Sequence, residues 1–300
     1  NIGIGYQAMH TDTAGGTTNI AIGNYALDAL TSGDDNIAIG HEALTANTTG
    51  TRNTAVGVAA LDANTTASYN TGVGYAALSS NTTGANNTAV GNEALLANTT
   101  GNSNVAIGNG ALIAHTTGHY NVAVGLSALG SNTTAADNVA LGKYAAAANT
   151  TGTRNIAIGT EAYDASDTEN DNIAIGYQVM TTNTAGGNQN VAIGNYAADA
   201  LTSADNNVVV GHNAGTAINT GGNNVAVGHS AGEVITSGTE NVAVGFQAMR
   251  LVTTASSNVA IGNEAMENNV AADNVAVGTK SMRANTTGTR NIAIGTNAYD

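Results

Sequence analysis

Asn19-Ile20-Ala21-Ile22-Gly23-Asn24-Tyr25-Ala26 decides the fold, because the chain writes this line eighteen times. The rule is Asn, aliphatic, Ala, aliphatic, Gly, two variable residues, Ala. Its Asn falls at 1, 19, 36, 53, 70, 87, 104, 121, 138, 155, 172, 190, 207, 224, 241, 258, 274 and 291. Fourteen of the seventeen steps are 17 residues long, two are 18 and one is 16. So short and steady a period leaves room for one supersecondary unit per repeat, stacked on its neighbours.

Counting from the Asn, position 5 is Gly in every copy, and position 4 is always Ile, Val or Leu. Position 2 is Ile, Val or Thr. Position 3 is Ala except at Gly3, Gly72 and Val209. This alternation has period two and β-branched flanks, so it predicts a short strand. Gly at position 5 ends that strand at a turn with positive φ. A second apolar pair follows at positions 8 and 9, as in Ala60-Leu61 and Ala248-Met249, and reads as a return strand. The remainder, Asn47-Thr48-Thr49-Gly50 or Asn98-Thr99-Thr100-Gly101, is turn chemistry. Length variation is confined to this loop, as in His10 to Thr18 and Thr181 to Gln189. A helix is opposed by the recurring Gly and the β-branched residues. The expectation is an all-β parallel β-solenoid of about 18 coils of 17 residues, with two short strands per coil. Residues 1–300 form one continuous array, with coils about 4.8 Å apart in a rod.

The strand has two apolar faces, and the sequence leaves open which one lies inside. With positions 2 and 4 inside, the Ala stripe lies outside and, too small for a free surface, asks for a neighbouring chain. With Ala inside, the exposed apolar stripe is larger still, of a kind monomers rarely show. Either arrangement predicts self-association, as a parallel homotrimer about the long axis or as an end-to-end filament.

Composition narrows the partners. The net charge of −14 comes from only 7 Lys and Arg against 21 Asp and Glu. Such a chain lacks the basic clusters that nucleic acid or an anionic membrane requires. There is no Cys, hence no disulfide or thiolate site, and no apolar run long enough to span a bilayer. No signal peptide is visible, and both ends read as cuts through a longer array that continues past Asp300 with a similar coil. Longer duplications support this: residues 1–44 match 172–215, and 154–164 reappear as 290–300.

Asn104-Val105-Ala106-Ile107-Gly108 and Asn190-Val191-Ala192-Ile193-Gly194 resemble the head repeats of YadA-like trimeric autotransporter adhesins. The 17-residue version, with Asn87-Thr88-Ala89-Val90-Gly91, looks still more like shaft repeats of phage tail fibres and related bacterial surface fibres. The resemblance covers the whole chain. It implies a left-handed β-roll packed as a trimer, located outside the cell or on a virion. The family repeat differs in having about fourteen residues.

Candidate sites are sparse. Asn-Thr-Thr sequons at Asn47, Asn64, Asn81, Asn98, Asn132, Asn149 and Asn285 would be glycan acceptors in the right cell, or simply duplicated turns. The paired Thr residues invite an ice-binding reading, which adjacent placement in a loop disfavours. His10, His41, His115, His119, His212 and His229 share no repeat position beyond scatter at positions 6 and 12 and read as surface residues, although His115 and His119 share a loop. Asp34-Asp35 and the run Asp164, Asp167, Glu169, Asp171 are solvated loops unless they converge on calcium. Tyr6, Tyr25, Tyr75, Tyr144, Tyr177 and Tyr196 are too irregular for a carbohydrate stripe. No catalytic constellation, metal set or cofactor motif is present, so no enzyme is expected. The expected function is a structural extracellular fibre, shaft or head. The alternative is a module that binds polysaccharide or cell-surface glycans along its Asn/Thr loops.

Overall fold

The computed structural model describes residues 1–12, 15–183 and 186–299. It is an all-β parallel solenoid with one three-residue strand in each of eighteen coils and, among the described residues, no helix. Contacts group the chain into two units, Asn1–Thr151 and Gly152–Asp300. The first holds β1 (Ile2–Ile4) to β9 (Val139–Leu141), the second β10 (Ile156–Ile158) to β18 (Ile292–Ile294).

Neighbouring strands pair in parallel and in register, so like stacks on like: Ile37 on Thr54, Ala38 on Ala55, Ile39 on Val56. The coils of irregular length keep this register. Ile2 pairs with Ile20, Ile173 with Val191 and Val259 with Val275. The extra or missing residues are therefore taken up in the loops, as expected. Parts of the two longer loops, residues 13–14 and 184–185, lie outside the described residues, as does Asp300.

The strand face settles the question the sequence left open. Ala21, Ala38, Ala55 and Ala89 are fully buried, while the Ile, Val and Thr residues on either side are half-buried or exposed. Ala lies inside, so the Ala stripe does not ask for a neighbour; the β-branched stripe faces out. The reason is width. A coil of 17 residues encloses a thin slot, and the inward side chain at position 3 must leave room for Leu at position 9.

The slot is filled by exchange between positions 9 and 12. Leu61 pairs with Asn64, Tyr163 with Ser166, Gly215 with Ile218 and Gly232 with Ile235, and every one of these non-glycine side chains is buried. A Cβ on Gly215 would lie 2.7 Å from Ile218 Cδ1, and one on Gly232 2.9 Å from Ile235 Cδ1. In the two glycine coils a larger residue at position 12 thus goes with the lost side chain at position 9. Val209, the one large residue at position 3, sits in the coil whose position 9 is Gly215.

Among the described residues the expected return strand is absent. Positions 7 and 9 are left-handed, as in Ala59 (φ 54) and Leu61 (φ 53), so this segment is a ladder of turns. Its amides still bond from coil to coil: Leu44 N–H donates to Ala60 O and Leu61 N–H to Ala77 O, both at 3.0 Å. Position 17 is left-handed too, for example Arg52 (φ 57) and Tyr69 (φ 64). Gly at position 5 has the expected positive φ, and Gly57 at 144° lies where side chains are excluded. A Cβ there would also fall 2.2 Å from Gly74 O in the next coil.

Candidate functional site

Two internal ladders hold the coils together, and they account for most of the Asn that the sequence repeats. In the first, the position-1 Asn of one coil accepts the amide of the next. Asn53 N–H donates to Asn36 Oδ1 at 3.0 Å, and Asn53 Nδ2 donates to the same oxygen at 3.2 Å. Asn53 Nδ2 also donates to Ala67 O at 2.8 Å, closing its own loop. These side chains are fully buried, and a buried amide must satisfy both its ends.

The second ladder runs through position 12. Asn64 Nδ2 donates to Asn47 Oδ1 at 3.1 Å, Asn81 Nδ2 to Asn64 Oδ1 at 2.9 Å and Asn98 Nδ2 to Asn81 Oδ1 at 2.8 Å. Each also donates to the carbonyl three residues on, such as Asn81 to Gly84 O at 2.9 Å. The seven sequon asparagines occupy this ladder. Asn47, Asn64, Asn81, Asn98, Asn132 and Asn149 are fully buried, and Asn285 is 8% exposed. The folded coil does not present these amides to a modifying enzyme, and a glycan on any of them would displace the ladder.

His115 sits in the same ladder, fully buried, and is not the surface residue its sequence suggests. Burial lowers the pKa of its ring, opposed by its contacts to Gly118 and Asn132. His119, in the same loop, instead takes the Asn102 amide at Nδ1, 2.9 Å. The two rings take different partners.

The acidic loops are likewise occupied. Asp34 Oδ1 accepts from Thr17 N–H at 2.7 Å and from its hydroxyl at 2.9 Å, which holds the carboxyl below its usual range. Asp171 pairs with Arg154 at 2.6 Å, with the same consequence. Glu169, buried, turns inward. Its Oε2 accepts from the Ser166 hydroxyl and the Asp167 and Thr168 amides at 2.8–3.0 Å, and Oε1 from Gly186 N–H at 3.0 Å. Asp164, half-buried near Glu161, is pushed up by desolvation. Among the described residues no three His, Asp or Glu side chains group to hold a metal ion, and no pocket is found.

Three surface rows remain. The first is the strand face, positions 2 and 4, which carries no charged residue in any coil. Ile107 is 40% exposed and Ile261 42%. The second is aromatic and was missed in the sequence because Tyr alternates between positions 6 and 7 from coil to coil, and because His and Phe at position 6 were not counted with Tyr. Tyr6, Tyr25 and His41 meet edge to face at 5.5 and 5.9 Å. Tyr177, Tyr196, His212, His229 and Phe246 form a longer row at 5.3–6.0 Å. The His212, His229 and Phe246 rings stack on one another, so their faces are turned to each other and offer no platform for a sugar.

The third row is threonine. Thr49, Thr66, Thr83, Thr100, Thr117, Thr134 and Thr151 are exposed at one position in successive coils. The preceding Thr ties its hydroxyl to the next coil, as Thr48 Oγ1 does to Thr65 O at 3.1 Å. No family model, no curated protein and no solved structure matches this chain.

Proposed function

We propose that this chain is a structural element of an extracellular fibre, a shaft or head on a cell surface or a virion. It acts by regular repetition and by association with further copies of itself. The observation that carries this reading is the outward strand face, uncharged in every coil and aliphatic except for Thr54, Thr71 and Thr88. Nine strands about 4.8 Å apart and three residues of about 3.3 Å each give one unit a face of roughly 400 Å². A patch of that size is comparable to the largest on an ordinary monomer, a class that is often functional. An identical copy offers the same uncharged face, so two or three faces can close on one another about a symmetry axis. The interior supports the mechanical part: the Asn side chains of its two ladders bond from coil to coil. The likeness to YadA-type heads and tail-fibre shafts, carried by the Asn-aliphatic-Ala-aliphatic-Gly line, agrees with this reading.

Sedimentation velocity and electron microscopy test it. Multimers of the 29.5 kDa chain are expected. Ile107→Lys with Val124→Lys should dissociate them while the β-type circular dichroism persists. A chain that stays monomeric at all concentrations would refute it.

The threonine row favours a second reading, a polysaccharide- or cell-binding face. In the same coils the exposed residues at position 17 vary freely (Arg52, Tyr69, Asn86, Tyr120), whereas this row does not. Loss of glycan-array binding on Thr100→Lys, with assembly intact, would distinguish it.

A further inference from the structure

His115 interrupts the position-12 ladder in a way that its neighbours register. In the regular rungs Asn offers one group that donates and one that accepts. The His115 ring instead faces two oxygens: Nε2 is 2.9 Å from Gly118 O, and Nδ1 is 2.8 Å from Asn132 Oδ1. A neutral imidazole carries one N–H, so only one of these contacts can be a hydrogen bond with the neutral ring. Two buried atoms on either side are left over. Asn98 Oδ1, which the next rung would normally satisfy, has no partner, and neither does Asn132 Nδ2.

The Gly118 carbonyl is fixed in the backbone and can only accept. The Asn132 carboxamide can turn over. With the ring neutral, Nε2–H donates to Gly118 O, and Nδ1 becomes an acceptor that calls for a donor. Turning the amide supplies one, Asn132 Nδ2–H, and gives that orphaned nitrogen its partner. With the ring protonated, both nitrogens donate and the amide must present Oδ1, the orientation of the structure. We propose that His115 and the Asn132 carboxamide are a coupled pair: protonation of the ring by a proton from solvent and reversal of the amide occur together.

The ring has little freedom to answer otherwise. A Cβ on Gly118 would lie 2.5 Å from His115 Cε1, so the imidazole already packs against the loop backbone. The titratable group acting on it is His119 in the same loop, which disfavours a second positive charge; Gly118 and Asn132 are uncharged. Burial also opposes the charged ring, so the neutral state with the amide reversed is the resting one near neutral pH. Acidification then recruits the other orientation within the core. The rungs of this ladder that carry asparagine have no such response, because Asn does not titrate.

Solid-state or solution NMR of the full chain labelled with ¹⁵N at His and Asn reads both halves of the pair, with His115→Asn assigning the ring signals by their loss. At pH 8 one acceptor-type nitrogen (Nδ1) and one N–H nitrogen (Nε2) are expected, with the Asn132 amide protons shifted by bonding to the ring. On acidification the acceptor-type signal should vanish, and the Asn132 amide signals should move with the same midpoint. Two N–H nitrogens at pH 8, or a proton on Nδ1 alone, would overturn the assignment. A ring titration that leaves the Asn132 signals unmoved would overturn the coupling. Asn132→Asp should raise the ring's midpoint, since a carboxylate can only accept; an unchanged midpoint would also count against the pair.

Discussion

Replacing Asn87 by Ala tests whether the position-1 ladder is what closes the coils. The side chain is fully buried in mid-unit. Its Nδ2 donates to Gly101 O at 2.8 Å and to Asn70 Oδ1 at 3.2 Å, and its Oδ1 accepts from Asn104 N–H at 3.0 Å and from Asn104 Nδ2 at 3.3 Å. The losses differ in weight. Gly101 O keeps a donor in Asn98 Nδ2, and Asn104 Nδ2 keeps Gly118 O. The Asn104 amide loses the acceptor this ladder gives it and is left buried, at a cost of about 1–3 kcal/mol. Adding the lost bonds at about 1 kcal/mol each, with the weaker ones discounted, gives about 3–5 kcal/mol in all. Asn87→Asp separates hydrogen bonding from volume. It keeps the acceptor but places an oxygen against Gly101 O and Asn70 Oδ1, so at neutral pH it should cost at least as much as Ala. Urea denaturation at fixed protein concentration reads the total, because association would otherwise shift the midpoint. Hydrogen exchange at Asn104 N–H reads the local term. A loss below about 1 kcal/mol for Ala, with the Asn104 amide still protected, would refute the ladder's role.

Gly57→Ala should destabilise by about 3 kcal/mol or more, because it meets both a glycine-only φ and a backbone oxygen 2.2 Å from the new Cβ; thermal melting measures it. Ala59→Gly should stabilise by about 0.5–1 kcal/mol, since Ala59 holds a left-handed conformation that Gly adopts freely; a lower melting point would contradict this. The lowered pKa of His115 means the folded chain binds fewer protons than the unfolded one. Its contribution is therefore complete above the unfolded value near 6.5 and falls as pH drops below it. A denaturation series against pH should lose that slope in His115→Asn. Asp62, half-buried and pushed up by desolvation, has the opposite sign: its contribution is greatest below about pH 4 and is lost as pH rises through the folded pKa. Asp62→Asn should therefore stabilise at pH 7 and not at pH 3.

Asn19 to Ala26 and its copies made the coil legible, because a period of 17, a Gly that tolerates no side chain and β-branched flanks are each local constraints that one residue enforces. The parallel in-register stack followed from the same spacing. Loops absorbed the insertions, since a shift of one residue within a strand would turn its faces over. The candidate sites were far less legible. His115 looks like any loop histidine until its rung in the ladder is known. The aromatic row of Tyr177 to Phe246 is hidden because it mixes Tyr, His and Phe and uses both position 6 and position 7. The sequons look accessible because Asn-Thr-Thr-Gly is an ordinary turn, yet its Asn points inward.

The sequence by itself determined that this chain winds into repeated β coils, since each copy carries the turn, the strand and the polar groups that close it. Only the tertiary structure decided which strand face lies inside. Ile-Ala-Ile is apolar on both faces, so hydrophobicity cannot choose between them. Space can: the slot beneath the strand must also hold Leu61 or Tyr163 and an asparagine or its substitute, and only the Ala side is small enough. The same crowding turned the expected second strand into left-handed turns and left the larger aliphatic residues facing outward.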